Sequence, residues 1–255
     1  MHIIDLNSDL GESFGTYTLG MDERLMDYIT SANVACGWHA GDPIVMRKTL
    51  RAAAEKGVAV GAHPGYPDLM GFGRREMKIT PDEAYAYVLY QLGALDAFAR
   101  VEGCRLQHIK PHGALYNQAC KDKQLANAIC RAAQDFSSEL IVLAPYNSAF
   151  RIAAEELGQP FAAEFFADRA YMPDGSLMPR SQPGSVIHDP EEACRRVLQM
   201  AQTGTVTCSD GSLLEMRCAS ICVHGDNEAA LDTVRMIREV LTQNGVDLRP
   251  MKEMI

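Results

Sequence analysis

The sequence predicts an α/β barrel, on three observations. Apolar runs of strand length alternate with amphipathic stretches of helix length through most of the 255 residues, which is the pattern of βαβ units and a parallel sheet. Four of the seven histidines, His39, His63, His112 and His224, stand just past such runs, each near a glycine. That repetition puts imidazoles at one end of successive strands, the carboxyl end where an α/β barrel keeps its chemistry. A chain of this length with 47% hydrophobic residues can bury one full core, so a single domain over residues 1–255 is expected.

The first strand, 3–7, runs into Leu6-Asn7-Ser8-Asp9-Leu10-Gly11-Glu12. Side chains alternate along a strand, so Asn7 and Asp9 share a face, and inside a barrel that face is inward. Asp9 and Glu12 are therefore candidate catalytic acids or bases, or metal ligands; the competing reading is that one of them caps the following loop. The second strand, 33–36, leads to His39, and Asp42-Pro43 opens a helix over 43–56 with a capping side chain before a first-turn proline. The third strand, 58–62, delivers His63. A Gly/Pro-rich loop follows over 64–75 and reads as a cover on the strand ends. Its Arg74 and Arg75 carry planar forks suited to a carboxylate or phosphate of a substrate, although solvated charge is the commoner fate of such pairs. Thr80-Pro81-Asp82-Glu83 opens the next helix, 81–102, with the glutamate of a capping box.

The fourth strand, 106–109, ends at Lys110-Pro111-His112. His108 and His112 have the spacing of a helical metal pair, but in an extended segment they stand about 13 Å apart and cannot share an ion. Lys110, inward between apolar neighbours, requires either an acid of the core or an anionic substrate. His2, His108 and His188 lack the strand-end context and read as structural or surface groups. A shorter helix near 122–135, a strand at 140–144, a helix near 147–157 and a strand at 162–166 continue the alternation. Asp168 and Arg169 follow that sixth strand as candidate substrate-binding groups. Asp189-Pro190-Glu191-Glu192 starts a helix over 190–202, and a hairpin insertion near 204–217, turning at Asp210-Gly211, interrupts the pattern. The seventh strand, 220–223, delivers His224-Gly225-Asp226, both polar members candidates for substrate binding, before a last helix over 228–244; Asp226 and Asn227 also suit that helix as caps.

The net charge of −9, with no Lys/Arg-rich run, argues against nucleic acid or an anionic membrane as partner. No basic segment precedes the first apolar stretch, and Asp5 interrupts it, so neither signal peptide nor membrane span is expected. Eight cysteines without a Cys-x-x-Cys pair read as reduced thiols of a cytoplasmic protein. There is no P-loop, dinucleotide fingerprint or nucleophile elbow.

Six blocks then stand out together: Asn7-Ser-Asp9-Leu-Gly-Glu12; Asn33-Val-Ala-Cys-Gly-Trp-His39-Ala-Gly-Asp42; Gly61-Ala-His63-Pro-Gly-Tyr-Pro-Asp68 running on to Arg74-Arg75; Lys110-Pro-His112-Gly-Ala-Leu-Tyr116; Asp168-Arg169-Ala-Tyr171-Met-Pro-Asp174; and Val223-His224-Gly-Asp226-Asn227. They resemble the signature blocks of the lactam-utilisation (LamB/YcsF) family over nearly the whole chain. The resemblance implies a distorted seven-stranded (β/α) barrel of the glycoside hydrolase/deacetylase type. It also implies hydrolysis of the lactam ring of 5-oxo-L-proline to L-glutamate, driven by ATP and carried out with two other 5-oxoprolinase subunits. Ser8 stands where many relatives have cysteine, which leaves the acid beside it in place. Related polysaccharide deacetylases bind a metal through one Asp and a His-x-x-x-His pair that this chain lacks in a usable geometry, so a divalent metal stays open.

Phosphorylation of the lactam oxygen would make the ring carbon electrophilic, and without a phosphate loop here that step falls to the partners. This chain would then bind the lactam or its activated form, with an arginine or Lys110 on the carboxylate and an acid or imidazole activating water. Two other readings make different demands. A metal-dependent N-deacetylase of carbohydrates would act alone and without ATP, and a non-catalytic scaffold subunit would tolerate substitution at the strand ends.

Overall fold

The computed structural model describes residues 2–225 and 227–255. The chain begins β1 (His2–Leu10), α1 (Asp22–Leu25), β2 (Ser31–Ala35), α2 (Pro43–Lys56), β3 (Ala59–His63), α3 (Pro81–Val101) and β4 (Leu106–Ile109). It continues α4 (Gly113–Ala119), α5 (Lys123–Phe136), β5 (Ile141–Ala144), α6 (Ala149–Leu157) and β6 (Phe161–Phe166). Then come α7 (Pro190–Thr203), β7 (Thr205–Thr207), β8 (Leu213–Glu215), β9 (Ser220–Cys222), α8 (Glu228–Gln243) and β10 (Val246–Leu248). Strands β1 to β6 and β9 pair side by side, all parallel, and β9 closes on β1 with Asn7 opposite Cys222, giving a seven-stranded barrel. β7 and β8 form a separate antiparallel hairpin.

Three features lie beyond the sequence reading. α1 and α4 are too short for periodicity to mark them. β10 adds to the outside of the barrel by pairing in parallel with the lower half of β1, His2 opposite Val246. That partner extends β1 at its start, and the pairing of Asn7 to Leu10 with β2, Asp9 opposite Asn33, carries Asp9 inside the strand rather than after it.

Helix starts follow their capping chemistry. Asp42 accepts from the backbone N–H groups of Ile44 and Val45, and Thr80 and Glu83 complete a capping box. Asp189 caps α7 through Glu191 N–H, but Glu192 does not reach back; its carboxylate turns outward to Arg195 at 2.6 Å. Helix and strand faces meet in a continuous apolar layer. α5 contributes Leu125, Ala126, Ile129, Cys130 and Ala133 on one stripe, all buried, and packs against α3 and α6. All eight cysteines are free thiols. Among the described residues, no helix is long and apolar enough to cross a membrane.

The barrel interior, by contrast, is a hydrogen-bonded polar column. Asp5, Asn7 and Asp9 alternate inward along β1. At the bottom, Asp5 accepts from Ser31 Oγ at 2.5 Å, Thr30 Oγ1 at 2.7 Å and Ser220 Oγ. One layer up, Asn7 Nδ2 donates to Ser220 Oγ, Asn33 Nδ2 to Asn7 Oδ1, and His108 Nε2 to Asn33 Oδ1 at 2.6 Å. Gly61 makes room for that imidazole: a Cβ there would stand 2.3 Å from the His108 ring.

Burial pushes the Asp5 carboxyl up to about 6 despite its three hydroxyl donors, with the charge of Glu164 adding to the rise. Its ordinary value is 3.8, so the folded chain holds the proton more tightly than the unfolded one. Stability from this group is thus full below the ordinary value and is lost as pH rises through 6. Asp5→Asn is expected to flatten that slope, gaining on the order of 2–3 kcal/mol over wild type between acid and neutral pH in urea unfolding. Parallel pH profiles for the two proteins would contradict it.

Candidate active site

Above the polar column, six chain segments bring titratable groups together at the carboxyl ends of the strands. β1 supplies Asp9 and, past its end, Glu12; β3 ends on His63; β4 leads into Lys110 and His112; β6 carries Glu164 and leads to Asp168; β9 carries Cys222 and leads to His224; the segment after β2 holds His39. Asp9 sits at the centre. Its Oδ1 accepts from Asn33 Nδ2 at 2.8 Å and Lys110 Nζ at 3.0 Å, while Oδ2 lies 3.4 Å from His63 Nε2 and 3.8 Å from His224 Nε2. Lys110 Nζ also pairs with Glu164 Oε1 at 2.8 Å, and Tyr116 Oη donates to Glu164 Oε2 at 2.6 Å.

A second group adjoins it. His39 Nε2 meets Glu12 Oε1 at 3.1 Å, and His112 Nδ1 is 3.4 Å from the same oxygen and 3.0 Å from His63 Nε2. The rings of His39 and His112 stack at 3.8 Å with 4° between their planes. Glu12, His39, His63 and His112 each offer a ligand atom within 4.8 Å of the others, and so do Asp9, Cys222 and His224, arrangements that a divalent cation can use.

The fields diverge sharply across this small volume. Burial opposes the charge on Asp9, but His63 and Lys110 beside it hold its carboxyl well below the usual range. Burial likewise opposes the charges of Lys110 and His224, and is outweighed: Asp9, Cys222 and Glu164 hold Lys110 well above its ordinary value, and Asp168, 2.8 Å from Nδ1, does the same for His224. Burial pushes His39 and His112 well below the ordinary histidine value and Glu12 above the ordinary carboxylate value. The site therefore holds a fixed anion at Asp9, fixed cations at Lys110 and His224, and neutral imidazoles at His39 and His112. Asp9, Glu12, His224 and Asp168 keep 14 to 25% of their side chains exposed, whereas His39, His63 and Lys110 keep at most 3%, so a substrate reaches the acidic edge and His224 first.

The loop after β3 closes the other side. His112 Nε2 donates to the Phe72 carbonyl at 2.8 Å, and the Phe72 ring meets both stacked histidines edge-on. Gly73 follows with φ +63°, and a Cβ there would stand 2.7 Å from His39 Cβ and 2.9 Å from His112 Cδ2. Gly73→Ala combines a strained backbone with a clash against both rings, so a loss of about 1–3 kcal/mol in chemical denaturation is expected. An unchanged unfolding midpoint would show that the loop does not press on the rings.

Asp9, Glu12, His39, His63, Lys110, His112, His224 and Asp168 thus come together as one cluster. The arginines separate. Arg75 is bound by Asp68, its Nε 2.9 Å from Oδ1. Arg169 is buried and donates to the carbonyls of Ser185 and Met178, fastening the loop after β6. Arg74 is exposed, lies over the Phe72 ring at 5.0 Å, and has no carboxylate partner among the described residues. The ammonium of Lys110 is met by acids of the chain itself. Asp226 lies outside the described residues.

Sequence reasoning passed over Glu164, Cys222, Tyr116 and Asn33. A signal for Glu164 existed: it is the lone charge in Phe161-Ala-Ala-Glu-Phe-Phe166, a strand otherwise apolar enough to be buried on both faces.

The sequence pattern of the LamB/YcsF family matches residues 4–255. A protein of Pyrococcus horikoshii that is named as one of the 5-oxoprolinase subunits is 58% identical over 252 residues, covering 99% of each chain. One of Alkaliphilus metalliredigens with the same name is 52% identical over 255 residues, covering 100% of each. The crystal structure of a lactam utilization protein from Thermus thermophilus superposes with a TM-score of 0.92 at 46% identity, over 97% of this chain and 99% of that one.

Proposed function

The chain belongs to the LamB/YcsF family, and on that premise we propose that it is the lactam-handling component of an ATP-dependent 5-oxoprolinase, which opens 5-oxo-L-proline to L-glutamate with two partner subunits in the cytoplasm. The observation that carries the reading is the accessible edge where the fixed anion Asp9 faces the fixed cation His224, in a chain so close to proteins named for that activity. Opening a lactam phosphorylated on oxygen needs one group to take a proton from the attacking water and another to give one to the departing nitrogen; the acyl phosphate so formed becomes glutamate when a second water releases inorganic phosphate. Asp9 Oδ2, the oxygen not engaged by Asn33 and Lys110, takes the first role; protonated His224, held by Asp168, takes the second. A carboxylate held so far below neutrality is a weak base. It suffices once ATP-dependent phosphorylation has made the ring carbon strongly electrophilic, a step that this reading gives to the partners because the chain carries no P-loop.

Arg74, near the site and without an acid partner among the described residues, receives the substrate carboxylate in this reading. Arg74→Ala is expected to raise KM about tenfold to a hundredfold with a smaller change in kcat, the pattern of lost charge-assisted binding. An unchanged KM would free Arg74 of the role.

The deciding experiment combines this chain with the two partner subunits, ATP and 5-oxoproline and follows glutamate. Glutamate should form only in the complete mixture. Turnover by this chain alone with ATP, or acetate release from N-acetyl sugars without ATP, would overturn the proposal.

A further inference from the structure

Two nitrogens of the histidine cluster confront each other at 3.0 Å. His63 Nδ1 lies 2.7 Å from the Lys110 carbonyl and His112 Nε2 lies 2.8 Å from the Phe72 carbonyl. A carbonyl only accepts, so both of those nitrogens carry a hydrogen, and in the neutral form of each ring the other nitrogen is bare. With both rings neutral, what remains is His63 Nε2 and His112 Nδ1, two lone pairs 3.0 Å apart. Such a contact is repulsive unless a positive charge lies between. Glu12 Oε1 stands 3.4 Å from His112 Nδ1, and Asp9 Oδ2 stands 3.4 Å from His63 Nε2, so electron-rich atoms surround the position.

We propose that His63 Nε2, His112 Nδ1 and Glu12 form a binding site for a divalent transition metal ion of the zinc type, its remaining positions left to water or substrate. Nitrogen-rich donors favour such an ion over magnesium or calcium. Ligands bonded at about 2.0–2.1 Å to a tetrahedral ion stand about 3.3 Å from one another, close to the separations already present. The supporting contacts match as well: each ligating imidazole gives its other N–H to a backbone carbonyl, the arrangement that fixes a metal-binding histidine. His39 is not a ligand in this site. Its ring is parallel to that of His112 and 3.8 Å away, so an ion in the plane of one ring lies outside the plane of the other. Its Nε2 bonds Glu12 instead and positions that carboxylate. His108 is excluded because its Nε2 is engaged by Asn33. The site does not depend on the reaction proposed above, since this chain is tested alone.

The test is metal analysis of the purified chain, followed by chelator treatment and titration with zinc and cobalt(II) at neutral pH. One ion per chain is expected, with a visible cobalt band that His63→Gln and Glu12→Gln change or abolish. His39→Gln should keep the band and weaken affinity about 10- to 100-fold. Should these variants fail to fold, NMR of the wild-type ring nitrogens decides: zinc should shift His63 Nε2 and His112 Nδ1 and spare the N–H nitrogens of both rings. Absence of a bound ion, together with a proton shared between His63 and His112, would overturn the site. So would a cobalt spectrum indifferent to His63→Gln and Glu12→Gln.

Discussion

Lys110→Met is expected to destabilise the chain by about 3–5 kcal/mol, the cost of breaking a buried ion pair by removing one partner. The ammonium stands 3.0 Å from Asp9 Oδ1 and 2.8 Å from Glu164 Oε1, 5.1 Å over the Phe166 ring, with Cys222 Sγ at 3.2 Å. Methionine keeps the stem and deletes the charge, so two carboxylates are left facing one another inside the barrel with no cation between them. A domain's whole stability is about 5–15 kcal/mol, so the loss is a large part of it. The sequence alone allowed either core acids or a substrate anion as the partner, and a substrate anion would have made the variant folded and inactive. With two acids already in place, stability should fall first and activity with it. Lys110→Met combined with Glu164→Gln removes one of the stranded charges and should recover part of the loss, a coupling that a double-mutant cycle in urea measures. A single variant within about 1 kcal/mol of wild type would place the carboxylates in contact with water and sink the account.

The contrast between what was and was not legible beforehand has a physical basis. His39, His63, His112 and His224 were readable because each follows its own strand, and in a parallel barrel every strand ends on the same side. Pairing across the barrel was not. Lys110 and Asp9 are 101 residues apart, and no local pattern says whether an inward lysine meets a carboxylate or awaits one. The same holds for the arginines: Arg75 is taken by Asp68 seven residues away, and Arg169 by carbonyls of a loop that has no regular structure to read. The polar column of Asp5, Asn7, Asn33 and His108 was hidden in another way. Strands buried on both faces look uniformly apolar apart from isolated polar residues, and only the closed barrel shows that those residues touch. β10 escaped because three residues carry too little periodicity, and it is recognised only through its pairing with β1.

Asp9→Asn should leave a folded protein that is nearly inactive, with kcat of the reconstituted ATP-dependent reaction reduced about 10²- to 10⁴-fold, the usual range for loss of a positioned acid or base. The substitution preserves shape. An amide oxygen in the place of Oδ1 still accepts from Asn33 and Lys110, and Lys110 keeps the charge of Glu164, so the fold should suffer less than in Lys110→Met. Chemistry has no such reserve. The atom facing His63 Nε2 and His224 Nε2 becomes an NH₂ group that cannot accept a proton from water. The substrate binding proposed for Arg74 does not involve this atom, so KM should stay near the wild-type value while kcat falls. On the proposed function phosphorylation lies outside this chain, so hydrolysis of ATP by the partners should continue, uncoupled from glutamate formation. If kcat instead falls by less than roughly threefold, proton transfer by this carboxylate is not part of the barrier. Asp9 would then be only the counter-ion of Lys110, and the proton acceptor would have to be another group on the accessible edge.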